Sequence, residues 1–318
     1  MTTHKQAILS GLFGLCIADA LGVPVEFSSR ATRQADPVTT MRGYGTWNQP
    51  PGTWSDDSSL TLGLVAAMID GFSLEAIADN FCRWYTDADW TPHGEVFDVG
   101  NATQAAIFQL LQGVPPTQSG GTDDRSNGNG ALMRILPMAF CYAQLPFAEL
   151  LECTHQVAGI THAHPRSQMA CGIYISIAVL LLQGHSLQTA YQQGIQLIQP
   201  FYAVAPFSQE LAHFDRILSG AIAQTPIDAI ESGGYVVHTL EAALWCLLNT
   251  DSYPAAVLQA VNLGGDTDTT AAVTGGVAGL AYGLEAIPAE WLEQLAQKEA
   301  IADLAEQLAI ALEPAVSP

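Results

Sequence analysis

Apolar residues recur at helical spacing in one segment after another of this 318-residue chain, and no run alternates strictly between hairpin signals. That combination makes a sheet improbable and calls for helices packed on helices. The spacing predicts helices over 5–21, 58–70, 73–86, 98–112, 129–143, 146–159, 166–183, 186–198, 206–223, 235–249, 253–263, 267–283 and 289–312. Ser73, Asp98 and Ser186 stand where N-caps are expected, and Gly71, Gly113 and Gly184 where helices stop. The fold class is all-α, a many-helix globule.

A hydrophobic fraction of 49% against 13% charged residues supplies enough apolar surface for a large core. No composition break or repeat divides the chain, so residues 1–318 are read as a single domain. Two stretches lack a helical period. Ser28 to Thr53, rich in Gly, Pro and Arg, is read as a long functional loop leading to Trp54-Ser55-Asp56-Asp57. Gly113 to Asn127 suits either a linker or an active-site loop.

Ten basic against 31 acidic side chains leave a net charge of −21, which repels phosphate backbones and anionic lipid. Neither nucleic acid nor membrane is expected as a partner. Cys16, Cys82, Cys141, Cys153, Cys171 and Cys246 lie scattered in apolar surroundings without a C-x-x-C pair, the pattern of reduced thiols in a cytoplasmic protein. Residues 5–20 imitate a signal sequence, but Ser10, Gly11 and Gly14 weaken the apolar core. The longest apolar run, Ala170 to Leu182, falls short of the ~20 residues that span a bilayer.

Two acidic clusters precede predicted helices. Gly264-Gly265-Asp266-Thr267-Asp268-Thr269 and Ser55-Asp56-Asp57 each combine an Asp pair with hydroxyls. Such residues cap helix N-termini, and they equally suit a hard oxygen-seeking cation such as magnesium, calcium or manganese. Two such helix starts facing each other would share cations and relieve the repulsion among four carboxylates. An EF-hand is excluded, because Ala271 and Val277 occupy the positions that need Gly and Glu. Asp19 falls near the C-terminal end of the first predicted helix, where the dipole disfavours a negative charge, so Asp19 or the nearby Glu26 is a candidate for a function.

Ser126-Asn127-Gly128-Asn129-Gly130-Ala131 supplies small residues before a predicted helix start, a recipe for phosphate binding and also for an ordinary turn. It is neither a Walker loop nor a dinucleotide fingerprint. His162 is either a substrate contact or a loop histidine. No Gly-x-Ser-x-Gly elbow and no H-E-x-x-H motif is present.

Taken in order, Gly11-Leu12-Phe13-Gly14, Ala18-Asp19-Ala20-Leu21-Gly22, Thr53-Trp54-Ser55-Asp56-Asp57, Asn127-Gly128-Asn129-Gly130-Ala131-Leu132-Met133-Arg134, Thr161-His162, Gly264-Gly265-Asp266-Thr267-Asp268-Thr269 and Gly279-Leu280-Ala281-Tyr282-Gly283 resemble the ADP-ribosylglycohydrolases over most of the chain. The resemblance implies a compact orthogonal helix fold with a central dinuclear cleft holding two Mg²⁺ or Mn²⁺ ions. By position it implies Ser55, Asp56, Asp57, Asp266, Asp268 and Thr269 as metal ligands, and Glu26 as an acidic residue near the substrate ribose. Gly128, Asn129 and Gly130 match the diphosphate loop, His162 a substrate contact and Gly100 a ligand-facing loop.

The expected reaction is metal-dependent hydrolysis of the glycosidic bond between ADP-ribose and an acceptor, with an arginine side chain favoured and a small ADP-ribosyl conjugate as the other substrate form. Asp56, Asp57 and Asp268 would place the water and Glu26 would gate the site or carry a proton. A catalytically silent ADP-ribose-binding protein and a dinuclear phosphohydrolase are the alternatives. The protein is expected to be a monomer.

Overall fold

A computed structural model describes residues 3–313; the 1–318 unit extends past them at both ends. Fourteen α-helices follow one another among these residues: α1 (His4–Gly22), α2 (Arg30–Ala35), α3 (Asp56–Ile69), α4 (Leu74–Asp87), α5 (Asn101–Leu111), α6 (Phe147–Gly159), α7 (Pro165–Leu182), α8 (Leu187–Tyr202), α9 (Asp215–Leu218), α10 (Val236–Leu248), α11 (Tyr253–Asn262), α12 (Thr267–Tyr282), α13 (Ala289–Gln294) and α14 (Lys298–Ala311). Short 3₁₀ turns join several of them, and β-pairing among the described residues is limited to isolated bridges. The fold is all-α, as the periodicity predicts.

Helices α1, α7 and α12 are apolar or small-residue on all sides and lie at the centre, whereas α4 and α8 bury one face and expose the other. The apolar windows of α1 and α7 are long enough to cross a bilayer, but 94% and 83% of their residues are buried inside the fold. They are core helices. The α1–α12 pair is the most extensive contact in the molecule. Its backbones meet at Gly14, Gly275 and Gly279: a Cβ on Gly14 would run into the Gly275 carbonyl, and one on Gly279 into the Ser10 carbonyl. Small residues at the crossing let the two backbones touch.

Four expectations change in detail. The stretch 129–143 is a series of turns followed by a 3₁₀ segment at Leu136–Ala143, because Pro137 lacks the N–H that an α-helix would use. The stretch 206–223 breaks into 3₁₀ turns around α9. Spacing of three to four between Phe207, Leu211, Phe214 and Ile217 serves 3₁₀ and α geometry alike. The stretch 289–312 divides into α13 and α14 at Gln297, which has φ +49°, and Ala296 N–H donates to the Gly52 carbonyl at 3.0 Å. Within 28–53, Ser29 caps the short helix α2.

Candidate metal centre and substrate cleft

The C-terminal end of α1 meets the N-terminal end of α12 in a close backbone approach. A Cβ on Gly22 would overlap the Asp268 backbone, and Thr267 Oγ1 donates to the Gly22 carbonyl at 2.8 Å. Gly264 and Gly265 bring the chain into α12 with φ +75° and +77°, a conformation that favours glycine, and Gly265 backbone atoms pair with Phe27 and Ser28 at 2.7 and 2.8 Å. Glu26 is thereby held beside Asp266 and Asp268. One carboxylate oxygen from each of these three residues lies within 4.8 Å of the others.

Helix α3 enters from the other side. Thr269 Oγ1 donates to Asp57 Oδ1 at 3.2 Å, joining helix starts that are 212 residues apart in the chain. Ser55 is the N-cap of α3, and Asp56 and Asp57 form its first turn. The residues expected to bind metal are therefore gathered at two facing helix N-termini. Asp56, Asp266 and Thr269 line a cavity of about 460 Å³, with Ser55, Asp57 and Asp268 buried beneath its floor.

This pole is acidic without compensation. Among the described residues no Lys, Arg or His forms an ion pair with Glu26, Asp56, Asp57, Asp266 or Asp268. Burial, then the neighbouring carboxylates, push Asp56, Asp57 and Asp268 well above the usual carboxylate range. Burial and Asp98 lift Glu26 to about 9, although Trp47 Nε1 donates to its Oε2 at 2.5 Å. Asp57 Oδ2, Asp266 Oδ1 and Asp268 Oδ2 are buried with no hydrogen-bond partner in the protein. Orphaned carboxylate oxygens at converging helix starts fit divalent cations bound through oxygen.

Another stretch of the cavity lining is neutral to basic. Gly128, Asn129, Gly130, His162 and Arg125 line it, with Gly100 at the N-cap of α5. Asn129 spends its backbone N–H on the Gly234 carbonyl at 3.0 Å, while those of Gly128 and Gly130 have no backbone acceptor among the described residues. Since the segment after Gly130 is not an α-helix, the loop presents bare N–H groups without a helix dipole behind them. His162 lies behind both glycines; a Cβ on Gly130 would come within 2.9 Å of its ring. The ring is buried, and desolvation followed by the Arg134 charge holds it down to about 3, so it is neutral. Thr161 Oγ1 accepts from Arg134 at 2.6 Å and lies 2.7 Å from His162 Nδ1.

All the candidate site residues named from the sequence thus stand in or directly under one cleft. Three contributors were not assigned there. Asp98 is no N-cap: it has φ +52°, lines the cavity and sits at about 6, raised mainly by burial. Trp47 braces Glu26 and packs against Phe27 and Phe97 at the mouth. Arg125 enters the cavity from the loop before Gly128. An Asp two residues before a glycine in Phe97-Asp98-Val99-Gly100 was the available signal for Asp98; Trp47 and Arg125 had none.

A cleft with an acidic, cation-seeking pole and an N–H-lined wall, set in an all-α fold, agrees with the comparisons to known proteins. The family model for ADP-ribosylglycohydrolase matches residues 1–316, and the chain belongs to that family. It is 34% identical over 299 residues to the ADP-ribosylarginine hydrolase of Serratia proteamaculans (strain 568), covering 93% of this chain and 77% of the relative. It is 29% identical to the ADP-ribosyl-[dinitrogen reductase] glycohydrolase of Rhodospirillum rubrum, over 93% and 92% of the two chains. A solved structure described as an ADP-ribosylglycohydrolase-related protein complex superposes with a TM-score of 0.79 at 31% identity, covering 98% of this chain and all of the other.

Proposed function

We propose that this protein hydrolyses the N-glycosidic bond between ADP-ribose and an arginine side chain, using two Mg²⁺ or Mn²⁺ ions. The observation that carries the reading is one cavity lined by Asp266, with an orphaned oxygen, and by Gly128 and Gly130, with unengaged N–H groups, beside further orphaned oxygens on buried Asp57 and Asp268. Ser55, Asp56, Asp57, Asp266, Asp268 and Thr269 would hold the ions, with Glu26 inside the same oxygen cluster. Bound there, divalent cations supply Lewis acidity and offset the carboxylate charge.

The protein's own groups do the rest. Gly128, Gly130 and Arg125 hold the diphosphate away from the reacting bond, and that binding energy orients the ribose. His162, held neutral by burial, presents a ring nitrogen to the same wall. Asp56, Asp57 and Asp268 orient a water toward the anomeric carbon. Its oxygen bonds to that carbon as the C–N bond breaks, the electron pair leaves with the guanidino nitrogen, and a proton returns to that nitrogen. Glu26, at the cleft and held by Trp47, is the group placed to move it. Arginine as acceptor is supported by the mouth, where Glu26 and Asp98 stand beside Phe27, Trp47 and Phe97: carboxylates and aromatic faces suit a guanidinium. It is supported also by the similarity to the Serratia enzyme. The six cysteines are all unpaired, in keeping with a cytoplasmic setting.

The test is release of ADP-ribose from ADP-ribosyl-arginine and ADP-ribosyl-serine peptides with magnesium, with manganese and with chelator. Release from arginine that chelator stops is expected. Release of AMP would indicate pyrophosphate cleavage, and binding without release would make this an ADP-ribose-binding protein.

A further inference from the structure

Asp19 is a wholly buried carboxylate in the last turn of α1, at the end of a helix dipole that opposes its charge, and among the described residues no Lys, Arg or His pairs with it. What it has are donors from α3. Ser55 N–H reaches both of its oxygens at 3.0 and 3.1 Å, Ser58 N–H reaches Oδ2 at 3.0 Å, and Ser58 Oγ–H reaches Oδ2 at 2.5 Å. Burial still lifts it to about 7 against those four bonds.

An N-cap serine ordinarily accepts from the N–H of the second or third helical residue. In α3 the second is Asp57, which keeps its bond to Ser55, and the third is Ser58, whose N–H goes to Asp19. Ser55 Oγ is left with a single long bond, from Asp57 N–H at 3.3 Å. The cap of α3 is thus shared between its own Ser55 and Asp19 of another helix.

We propose that Asp19 is a positioning residue for the cation site. By taking the Ser58 N–H, it leaves the Ser55 hydroxyl oxygen with one long bond and able to face a ligand, and it fixes the turn that aims Asp56 and Asp57. Asp19 touches neither cation nor substrate in this account. The inference rests on the metal reading above.

The experiment is direct Mn²⁺ binding, by calorimetry and by the manganese electron paramagnetic resonance signal, to wild type, Asp19→Asn and Ser58→Ala, with thermal unfolding in chelator alongside. Asn preserves the volume but turns an N–H toward donors, so Asp19→Asn is expected to bind Mn²⁺ about 10- to 100-fold more weakly, the usual cost of removing an outer partner of a metal ligand. Ser58→Ala, which removes one of the four bonds, is expected to lose several-fold. At saturating Mn²⁺, KM for the ADP-ribosyl peptide should not move in either variant. A folded Asp19→Asn with wild-type Mn²⁺ affinity overturns the proposal; if that variant does not fold, wild-type affinity in Ser58→Ala overturns it. Wild type that binds no Mn²⁺ sinks the metal reading itself, a separate outcome.

Discussion

Asn129 Nδ2 donates to Asp266 Oδ2 at 2.8 Å, and the same amide donates to Thr239 Oγ1 at 2.9 Å. One side chain of the proposed diphosphate loop thus holds a carboxylate of the proposed cation pole. The two ends of the cleft are mechanically tied. Asn129→Ala is expected to lower kcat/KM by about 10- to 100-fold and to weaken Mg²⁺ binding as well, since it unties an outer partner of a ligand. Steady-state kinetics over a magnesium series checks it; an effect on KM for substrate alone would uncouple the two ends.

Removing a carboxylate should stabilise the cation-free protein while disabling it. Asp57 is buried among Asp19 and Asp56, and its Oδ2 has no partner. For Asp57→Asn, the unfolding temperature in chelator should rise by about 2 °C, and the increase that wild type gains from Mg²⁺ should vanish together with turnover. A variant that Mg²⁺ still stabilises as it does wild type would contradict the assignment of Asp57 as a ligand.

The stabilisation by cation should grow with pH. Without cation, Asp98, Asp19 and Glu26 have folded pKa values raised to about 6, 7 and 9. A raised carboxylate favours the folded state fully below its unfolded pKa, and that contribution is lost as pH climbs through the folded value. Cations need the ionised forms. The gap between unfolding temperatures in Mg²⁺ and in chelator should therefore widen from pH 5.5 to 8.5, and a constant gap would count against the site.

Buried His162 and half-buried His155 set the opposite trend on the acid side. Burial holds His155 down to about 4 and His162 to about 3. A histidine kept neutral by the fold contributes stability that is complete above its ordinary pKa near 6.5 and is lost as pH falls toward the folded value. His155 stacks on Tyr202 and lies 3.0 Å from its hydroxyl, away from the cleft. In saturating Mg²⁺, His155→Gln should flatten the loss of stability between pH 6.5 and 4.5 by on the order of 2 kcal/mol. Chemical denaturation across that range measures it.

The α1–α12 crossing should tolerate no side chain. Gly14→Val would drive a Cβ into the Gly275 carbonyl and within 3.1 Å of Gly279 Cα. The expected cost is about 3 kcal/mol, read as lower thermal stability and poor soluble yield. Because the crossing sets the distance from Gly22 to Asp268, the residual folded protein should also bind Mg²⁺ weakly.

Helical spacing made the all-α class legible, and Ser29 shows its limit: a single turn capped inside a Gly- and Pro-rich stretch leaves no periodic trace. The ends of α13 and α14 were hidden for a different reason. Gln297 breaks the helix through a left-handed backbone, and the neighbouring Ala296 N–H bonds to Gly52 in a distant part of the chain, which no local pattern records.

The sequence by itself determined which chemistry was available: paired aspartates with hydroxyls at two helix starts, small residues for a phosphate loop, and the order of motifs that resembles one family. Residue type and short spacing carry that information. Only the tertiary structure decided that Thr269 reaches Asp57, that Asp98 turns into the cleft and that Asp19 shares the capping of α3 with Ser55. Those facts depend on backbones meeting across 39 residues at Asp19 and 212 at Thr269, and the burial that leaves the carboxylate oxygens without partners depends on such long-range meetings too. Close packing of α1 on α12 creates that burial, and the same aspartates on an open surface would be ordinary helix caps.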